Sequence, residues 1–194
     1  MPRRSSRALA CIAAALFCLA CGAPPNKEMD QAQGAIDAAR AAGADRYATT
    51  EYAAAIDALK NANEAVTVRD YRLALNYALE SREQAQNAAR GAADAKARVR
   101  AEVERGITEI TALIAQARVR LMAAERARIA RRLLQQPRAD LTAAEAALQK
   151  AGEAVAAEDY LAARESLDGV KERVNAALVA INMTMAPRTA ARRR

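Results

Sequence analysis

Few residues in this chain could carry chemistry, and their placement argues against catalysis. The chain has no histidine, which excludes imidazole acid/base catalysis and histidine-ligated metal sites. Its three cysteines, Cys11, Cys18 and Cys21, all lie near the start, so none is available for a metal cluster or disulfide framework elsewhere. Carboxylates are plentiful, but no pattern marks the concave apolar setting that general acid/base work requires. We therefore expect no enzyme, no cofactor and no metal site.

Cys21 is the residue whose surroundings indicate a specific modification. Three arginines in the first seven residues precede an uncharged run over residues 8–20, which is too short to span a bilayer as a helix but fits the apolar region of a signal peptide. The segment 18–22 (CLACG) resembles a bacterial lipoprotein signal, in which a cysteine after a small residue is lipidated, although Cys18 stands where that signal usually has leucine. Lipidation of Cys21 is the prediction. Ordinary signal cleavage, which would leave Cys21 as a free thiol, is the alternative.

The net charge of +7 is confined to the two ends of the chain. Three arginines precede residue 8 and four follow Pro187, so the long stretch between them is formally neutral. A phosphate-binding surface needs a local excess of Lys and Arg. We therefore expect no nucleic-acid partner, and we predict that the basic tail is disordered.

The middle of the chain reads as an all-α protein. Alanine dominates with Arg, Glu, Gln and Leu, all strong helix formers, and no stretch alternates as a half-buried strand would. The first predicted helix runs over 28–42 and is ended by Gly43, and the second begins at Thr49 or Thr50. The third runs from an Asp70 cap to about Leu134, where Pro137 stops it. The fourth begins at an Asp140 cap, and the last runs from Asp159 to about Asn182.

The third helix carries a heptad row of apolar residues along its middle. Its members share spacings of three and four and are Val103, Ile107, Ile110, Ile114, Ala117 and Leu121. The row is longer than a small three-helix unit needs to cover itself. We therefore expect an exposed seam with coiled-coil-like packing.

The two halves of the chain are copies of one another. A shift of 89 residues places Glu-Ala-Val at 64–66 on Glu-Ala-Val at 153–155, and Asp70-Tyr71 on Asp159-Tyr160. The predicted fold is thus two duplicated three-helix units, built from helical hairpins, that share a long central helix. Tyr52, Tyr71 and Tyr160 are predicted structural anchors where helices meet, because alanine faces bury little area and large side chains are few.

One part of the chain resembles a known bacterial group. The run 41–48 (AAGADRYA), then Tyr52 and 70–74 (DYRLA), is similar to an alanine-rich helical domain of unknown function in envelope lipoproteins, some of which add a domain of the outer-membrane-protein-A type. The likeness covers mainly residues 28–98, departs from that group at Thr49, where a proline is usual, and implies a periplasmic location rather than a chemistry. The Asp-Tyr-x-x-Ala pieces also resemble half of a tetratricopeptide repeat, but the period of 89 is not the 34 of that repeat.

These observations lead to one expected function and one alternative. We expect a structural or protein-interaction lipoprotein at the periplasmic face of the cell envelope, on the outer rather than the inner membrane, bound to an envelope protein or to itself. The alternative is a module that binds peptidoglycan or a small ligand, with Arg118, Arg126 or Arg132 facing an anion. The predicted organisation is a signal peptide at 1–20, a tether at 21–27, a first helical unit at 28–98, a connecting helix at 99–134 that begins the second unit, the rest of that unit at 135–182, and a basic tail at 183–194.

Overall fold

The structure, a computed structural model, describes residues 23–186. The predicted signal peptide, Cys21 and the arginine tail lie outside the described residues. Between residues 23 and 186 every regular element is a helix, which confirms the all-α prediction. The helices are α1 (Asn26–Ala41), α2 (Ala44–Tyr47), α3 (Thr49–Thr67), α4 (Tyr71–Arg126), α5 (Arg131–Ala156), α6 (Tyr160–Leu167) and α7 (Val170–Met185).

The described residues form two compact units that divide between Ala95 and Lys96. The first unit contains α1, α2, α3 and the first part of α4. The second contains the rest of α4 with α5, α6 and α7. The long helix α4, which is uninterrupted at Gly91 and Gly106, therefore contributes to both units.

The end of α4 differs from the prediction. The helix stops at Arg126 and not near Leu134, because Arg128 adopts a left-handed conformation with φ of 56°. The Arg128 N–H donates to the Glu125 carbonyl and the Ile129 N–H to the Ala124 carbonyl, which satisfies two carbonyls of the last turn. A non-glycine residue at that position leaves little sequence signal for the stop.

Pro137 lies inside α5 and does not separate two helices, so the predicted stop there is wrong. Its ring is fully buried, and burial of its apolar surface offsets part of the cost of a missing helical hydrogen bond. Asp140 is consequently not an N-cap. Its carboxylate accepts a hydrogen bond from Gln136 Nε2 at 3.0 Å within the same helix.

The predicted last helix is broken in two. α6 ends at Leu167 and α7 begins at Val170. Between them Asp168 is extended and Gly169 has φ of 66°, a conformation that glycine adopts without steric cost.

The turns α3–α4 and α5–α6 have the same backbone, as the duplication predicts. Arg69 and Glu158, 89 residues apart, are both left-handed, with φ of 60° and 56°. The next residue in each turn caps the following helix: Asp70 Oδ1 accepts the Leu73 N–H at 3.0 Å, and Asp159 Oδ1 accepts the Ala162 N–H at 3.1 Å. The predicted Asp70 cap is therefore confirmed, and Asp159, predicted only as the start of the last helix, is also a cap.

The left-handed Glu158 gives a stability prediction. Glu158→Gly should raise the free energy of unfolding by less than about 1 kcal/mol, because the relief of the steric cost of a left-handed L-residue outweighs the loss of the exposed Lys96–Glu158 ion pair. Chemical denaturation of the purified protein measures the change. Glu153→Gly, in the interior of α5, is the matched control and should lower stability by about the same amount. Two changes of the same sign would show that the backbone of the turn is wrong.

The two units bury equivalent positions with residues of different size. Positions along α4 in the first unit and α7 in the second correspond across the shift of 89, and each pair is buried. The pairs are Ser81 with Val170, Ala85 with Val174, Ala88 with Ala177, and Ala92 with Ile181. The first unit thus has a core made mainly of methyl groups, whereas the second has branched aliphatic side chains and gains more from burial.

Ile181 is among the largest fully buried residues of the second unit. Ile181→Ala should lower the free energy of unfolding by about 3 kcal/mol, because it leaves a cavity in a packed core. Val179→Ala, at an exposed position on the same helix, should change it by less than about 0.5 kcal/mol. Equal effects of the two substitutions would contradict the assigned core.

Candidate functional site

The predicted apolar seam on α4 is buried rather than exposed. Val103, Ile110, Ile114, Ala117 and Leu121 are all buried. Four of them pack with residues of α5 and α7, which cover this face of the helix. The expectation of an exposed seam from Val103 to Leu121 is therefore wrong, because the second unit supplies two helices to cover it.

A second heptad row on α4 remains exposed. Ala112, Ala115, Val119 and Met122 follow spacings of three, four and three and point away from the buried row. Val119 is 61% exposed and Met122 is 47% exposed. This set of four residues, the 112–122 row, is an apolar helix face that nothing between residues 23 and 186 covers.

Sequence reasoning missed the 112–122 row, although a signal for it exists. No charged residue lies between Glu109 and Arg118, a stretch of eight residues in a helix that is otherwise rich in charge. A solvated helix face is normally charged or polar. The heptad from Val103 to Leu121 was predicted as the exposed seam instead, because most of its residues are larger than those of the 112–122 row.

Two of the three predicted tyrosine anchors are buried. Tyr52 lies in the core of the first unit, where Arg40 Nε donates to Tyr52 Oη at 2.7 Å. Tyr160 lies in the second unit with the cations of Lys96 and Arg100 within 6 Å of its ring centroid, at 5.7 and 5.9 Å. Tyr71 is only partly buried.

Tyr47 carries a polar group without a partner. Its hydroxyl is buried and has no hydrogen-bond partner among the residues that the structure describes. Gly43, with φ of 83°, approaches the Tyr47 ring, and a Cβ built there would come within 3.3 Å of it. The ring is thus held in place while its hydroxyl is unsatisfied.

Tyr47→Phe should raise the free energy of unfolding by about 1 kcal/mol, because it removes a buried unsatisfied hydroxyl and keeps the ring. Thermal unfolding followed by circular dichroism measures the change. Tyr52→Phe, which removes a hydroxyl that does accept a hydrogen bond, should act in the opposite direction. A loss of stability in Tyr47→Phe would mean that the hydroxyl has a partner after all.

The arginines proposed for anion binding are dispersed. Arg118 pairs with Glu145 at 2.7 Å, whereas Arg126 and Arg132 are exposed and do not line a wide cleft in the second unit. That cleft, of about 1140 Å³, contains three neighbouring arginines instead, over a floor that includes buried Leu134. They are Arg128, Arg131 and Arg138.

One acidic residue offsets part of the positive charge in the cleft. Arg138 pairs with Glu125, but neither Arg128 nor Arg131 has a carboxylate partner within residues 23–186. Arg131 is also the first residue of α5, where the helix dipole is positive. The cleft is therefore an electropositive surface with an apolar floor.

Three basic groups have pKa values raised by hydrogen bonds. The hydrogen bond to Tyr52 raises the pKa of Arg40, that to Glu104 raises the pKa of Arg100, and that to Glu109 raises the pKa of Lys171. All three groups are cationic near neutral pH and stay so. They are fixed charges rather than proton donors.

The described residues contain neither a helix that could span a membrane nor a cluster of side chains that could hold a metal ion. No helix between residues 23 and 186 combines the length and apolarity needed to cross a bilayer. Over the same residues no group of three or more Cys, Asp or Glu side chains is arranged to hold a metal ion.

Comparison with known proteins relates part of the chain to a family model. No curated protein and no solved structure matches the chain significantly. The residues that match this model are those of the first unit from residue 27 onward and the beginning of the second unit. Residues 27–104 match the model of a family described as "Domain of unknown function (DUF4398)", which confirms the predicted resemblance to a domain-of-unknown-function family over that part of the chain.

Proposed function

We propose that this protein is a lipid-anchored helical lipoprotein of the bacterial cell envelope that acts as a structural or protein-interaction module. Cys21 is the anchor, and the domain faces the periplasm. The lipoprotein-like segment 18–22 supports the location. The observation that carries the interaction role is the exposed 112–122 row on α4.

The chemistry of the row fits contact with another α-helix. Ala112 and Ala115 let a helix backbone approach closely, while Val119 and Met122 supply apolar area and an adaptable side chain. Charged Arg126, one turn after Met122, bounds the row at one end and would lie at the rim of such a contact. The partner we propose is a helix of another envelope protein, and self-association is the competing outcome.

Crosslinking in intact cells tests this role. A photoreactive amino acid at Val119 should give an adduct of higher mass, whereas one at Gln149, exposed on α5, should not. An adduct of twice the protein's own mass would indicate a second copy. Val119→Glu combined with Met122→Glu should abolish capture by a probe at Ala115, because charge would have to be desolvated in an apolar contact. No adduct at Val119 would count against the interaction role.

The arginine cleft favours one alternative, a module for an anionic cell-wall polymer or small ligand. Arg128 and Arg131 could bind carboxylate or phosphate groups, and Leu134 offers an apolar floor. Sedimentation with purified peptidoglycan separates the two functions, because only the alternative predicts retention by the wall alone. Arg128→Gln with Arg131→Gln should then release the protein, and Arg98→Gln with Arg105→Gln is the control.

A further inference from the structure

The end of the first unit at which α1 begins also carries the α3–α4 turn. α1 and α3 are antiparallel: Arg40 contacts Tyr52 near the end of α1, while Gln33 lines a groove with Asn63 and Thr67 near the end of α3. The start of α1, at Asn26, therefore lies on the same side of this unit as the turn. We call residues 68–73 the 68–73 turn.

The proposed anchor holds this end close to the membrane. Five residues along the chain lead from Cys21 to Asn26, which reach about 17 Å even when fully extended. The further inference rests here on the proposed function, because it requires acyl chains on Cys21. The first unit thus meets the membrane with the end that includes the 68–73 turn.

Large apolar side chains are exposed at this end. Val68 is 73% exposed and Leu73 is 39% exposed. Arg69 and Arg72 lie between them, with long stems that can stay along apolar surface while the guanidinium groups remain hydrated. Apolar residues next to arginines are typical of surfaces in the headgroup region of a bilayer.

Nearby carboxylates balance the arginines. Glu64 and Asp70 are exposed close to Arg69 and Arg72 along the chain. The turn therefore has no large excess of positive charge to attract anionic lipid. We expect contact to depend on apolar burial and to change little with the fraction of anionic lipid.

The second copy of the turn shows that the fold does not require these residues. Val68 and Ala157 occupy the same position with nearly the same backbone, φ of −92° and −85°. Across the shift of 89 residues, Val68, Arg69 and Leu73 are replaced by Ala157, Glu158 and Ala162. The second turn has neither arginine. Its leucine, Leu161, occupies the position of Arg72 and is partly buried, so the exposed pair Val68 and Leu73 occurs only in the first copy.

We propose that the 68–73 turn is a second lipid contact, which rests in the headgroup region of the leaflet that holds the acyl chains of Cys21. Val68 and Leu73 are the side chains that enter the boundary with the acyl region. A lipoprotein domain tethered by a short segment would thereby have a preferred orientation on its membrane. The partner is the bilayer itself.

A single-tryptophan experiment tests the contact. The chain has no tryptophan, so Val68→Trp and Ala157→Trp each place one reporter at matched positions of the two turns. The full lipidated protein is reconstituted in phosphatidylethanolamine–phosphatidylglycerol vesicles with and without brominated acyl chains. Val68→Trp should lose about half of its emission to the brominated lipid, since interfacial side chains lie about 5–10 Å into the boundary. Ala157→Trp should lose almost none.

The outcomes separate the two proposals. Flotation of the protein with the vesicles, together with equal emission changes at the two positions, would overturn the lipid contact and leave the anchor intact. Failure to acquire lipid or to float would overturn both. Leu73→Ala added to Val68→Trp should reduce quenching, whereas Leu148→Ala, a partly buried position in the second unit, should not.

Discussion

Replacing Cys21 with serine should remove the protein from membranes. Each acyl chain contributes about 0.8 kcal/mol per buried methylene, and several chains together anchor a protein where one does not. No helix between residues 23 and 186 is long and apolar enough to cross a bilayer. The measurements are metabolic labelling with a tagged fatty acid and flotation of the membrane fraction. We expect the label to disappear and nearly all of the processed protein to become soluble.

Two other cysteine variants are the controls for that experiment. Cys11→Ser and Cys18→Leu, the latter restoring the residue usual in lipoprotein signals, should leave labelling and flotation unchanged. Fatty-acid label on the Cys21→Ser protein would contradict the proposed site of modification. Membrane association of a processed Cys21→Ser protein without label would contradict anchoring by lipid altogether.

Replacing Tyr52 with alanine should strongly destabilise the first unit. Tyr52 is buried mainly among alanines; Ile36 is buried in the same core, and partly buried Tyr47 and Leu59 pack against it. Removing the ring should lower the free energy of unfolding by about 4 kcal/mol, because few neighbours can move into the cavity. The midpoint of thermal unfolding should fall by roughly 10 °C. The hydrogen bond from Arg40 is lost as well.

Hydrogen exchange shows where that loss of stability falls. Amides of α1 and α3 should lose protection in Tyr52→Ala, because these helices pack around the ring. Tyr71→Ala is the comparison: Tyr71 is only partly buried, and its removal should cost roughly half as much. If Tyr71→Ala is the more damaging variant, the identity of the anchor in the first core is wrong.

The helices and caps were predictable because their signals are local. Gly43 ends α1 and Asp70 accepts a backbone N–H at the start of α4, both as predicted, whereas the predicted cap Asp140 lies inside a helix and Asp159 caps α6 instead. The stop at Arg128 was not predictable, because arginine in a left-handed turn leaves no composition signal. At Pro137 a helix end was predicted and none exists, because the burial of its ring inside α5 depends on tertiary packing.

The interaction surface was predictable only in part. A heptad pattern identifies an apolar helix face that is expected to be buried, but it does not show whether other helices of the same chain bury it. For Val103 to Leu121 the cover comes from α5 and α7, which are distant in sequence. The exposed row of Ala112, Ala115, Val119 and Met122 has a weaker pattern, and its exposure depends on where those helices pack. The arginines of the cleft likewise come together only through the turn between α4 and α5.

The matched turns at Arg69 and Glu158 have a consequence for engineering this protein. Each residue of one turn has a counterpart in the other turn that nearly the same backbone accommodates, so the two turns indicate which exchanges the fold tolerates there. Val68→Ala and Leu73→Ala, which copy residues 157 and 162, test the role of these exposed side chains with little risk to folding. Ala85→Val and Ala92→Ile, which place the residues of positions 174 and 181 in the first unit, would instead test whether its alanine core accommodates larger side chains.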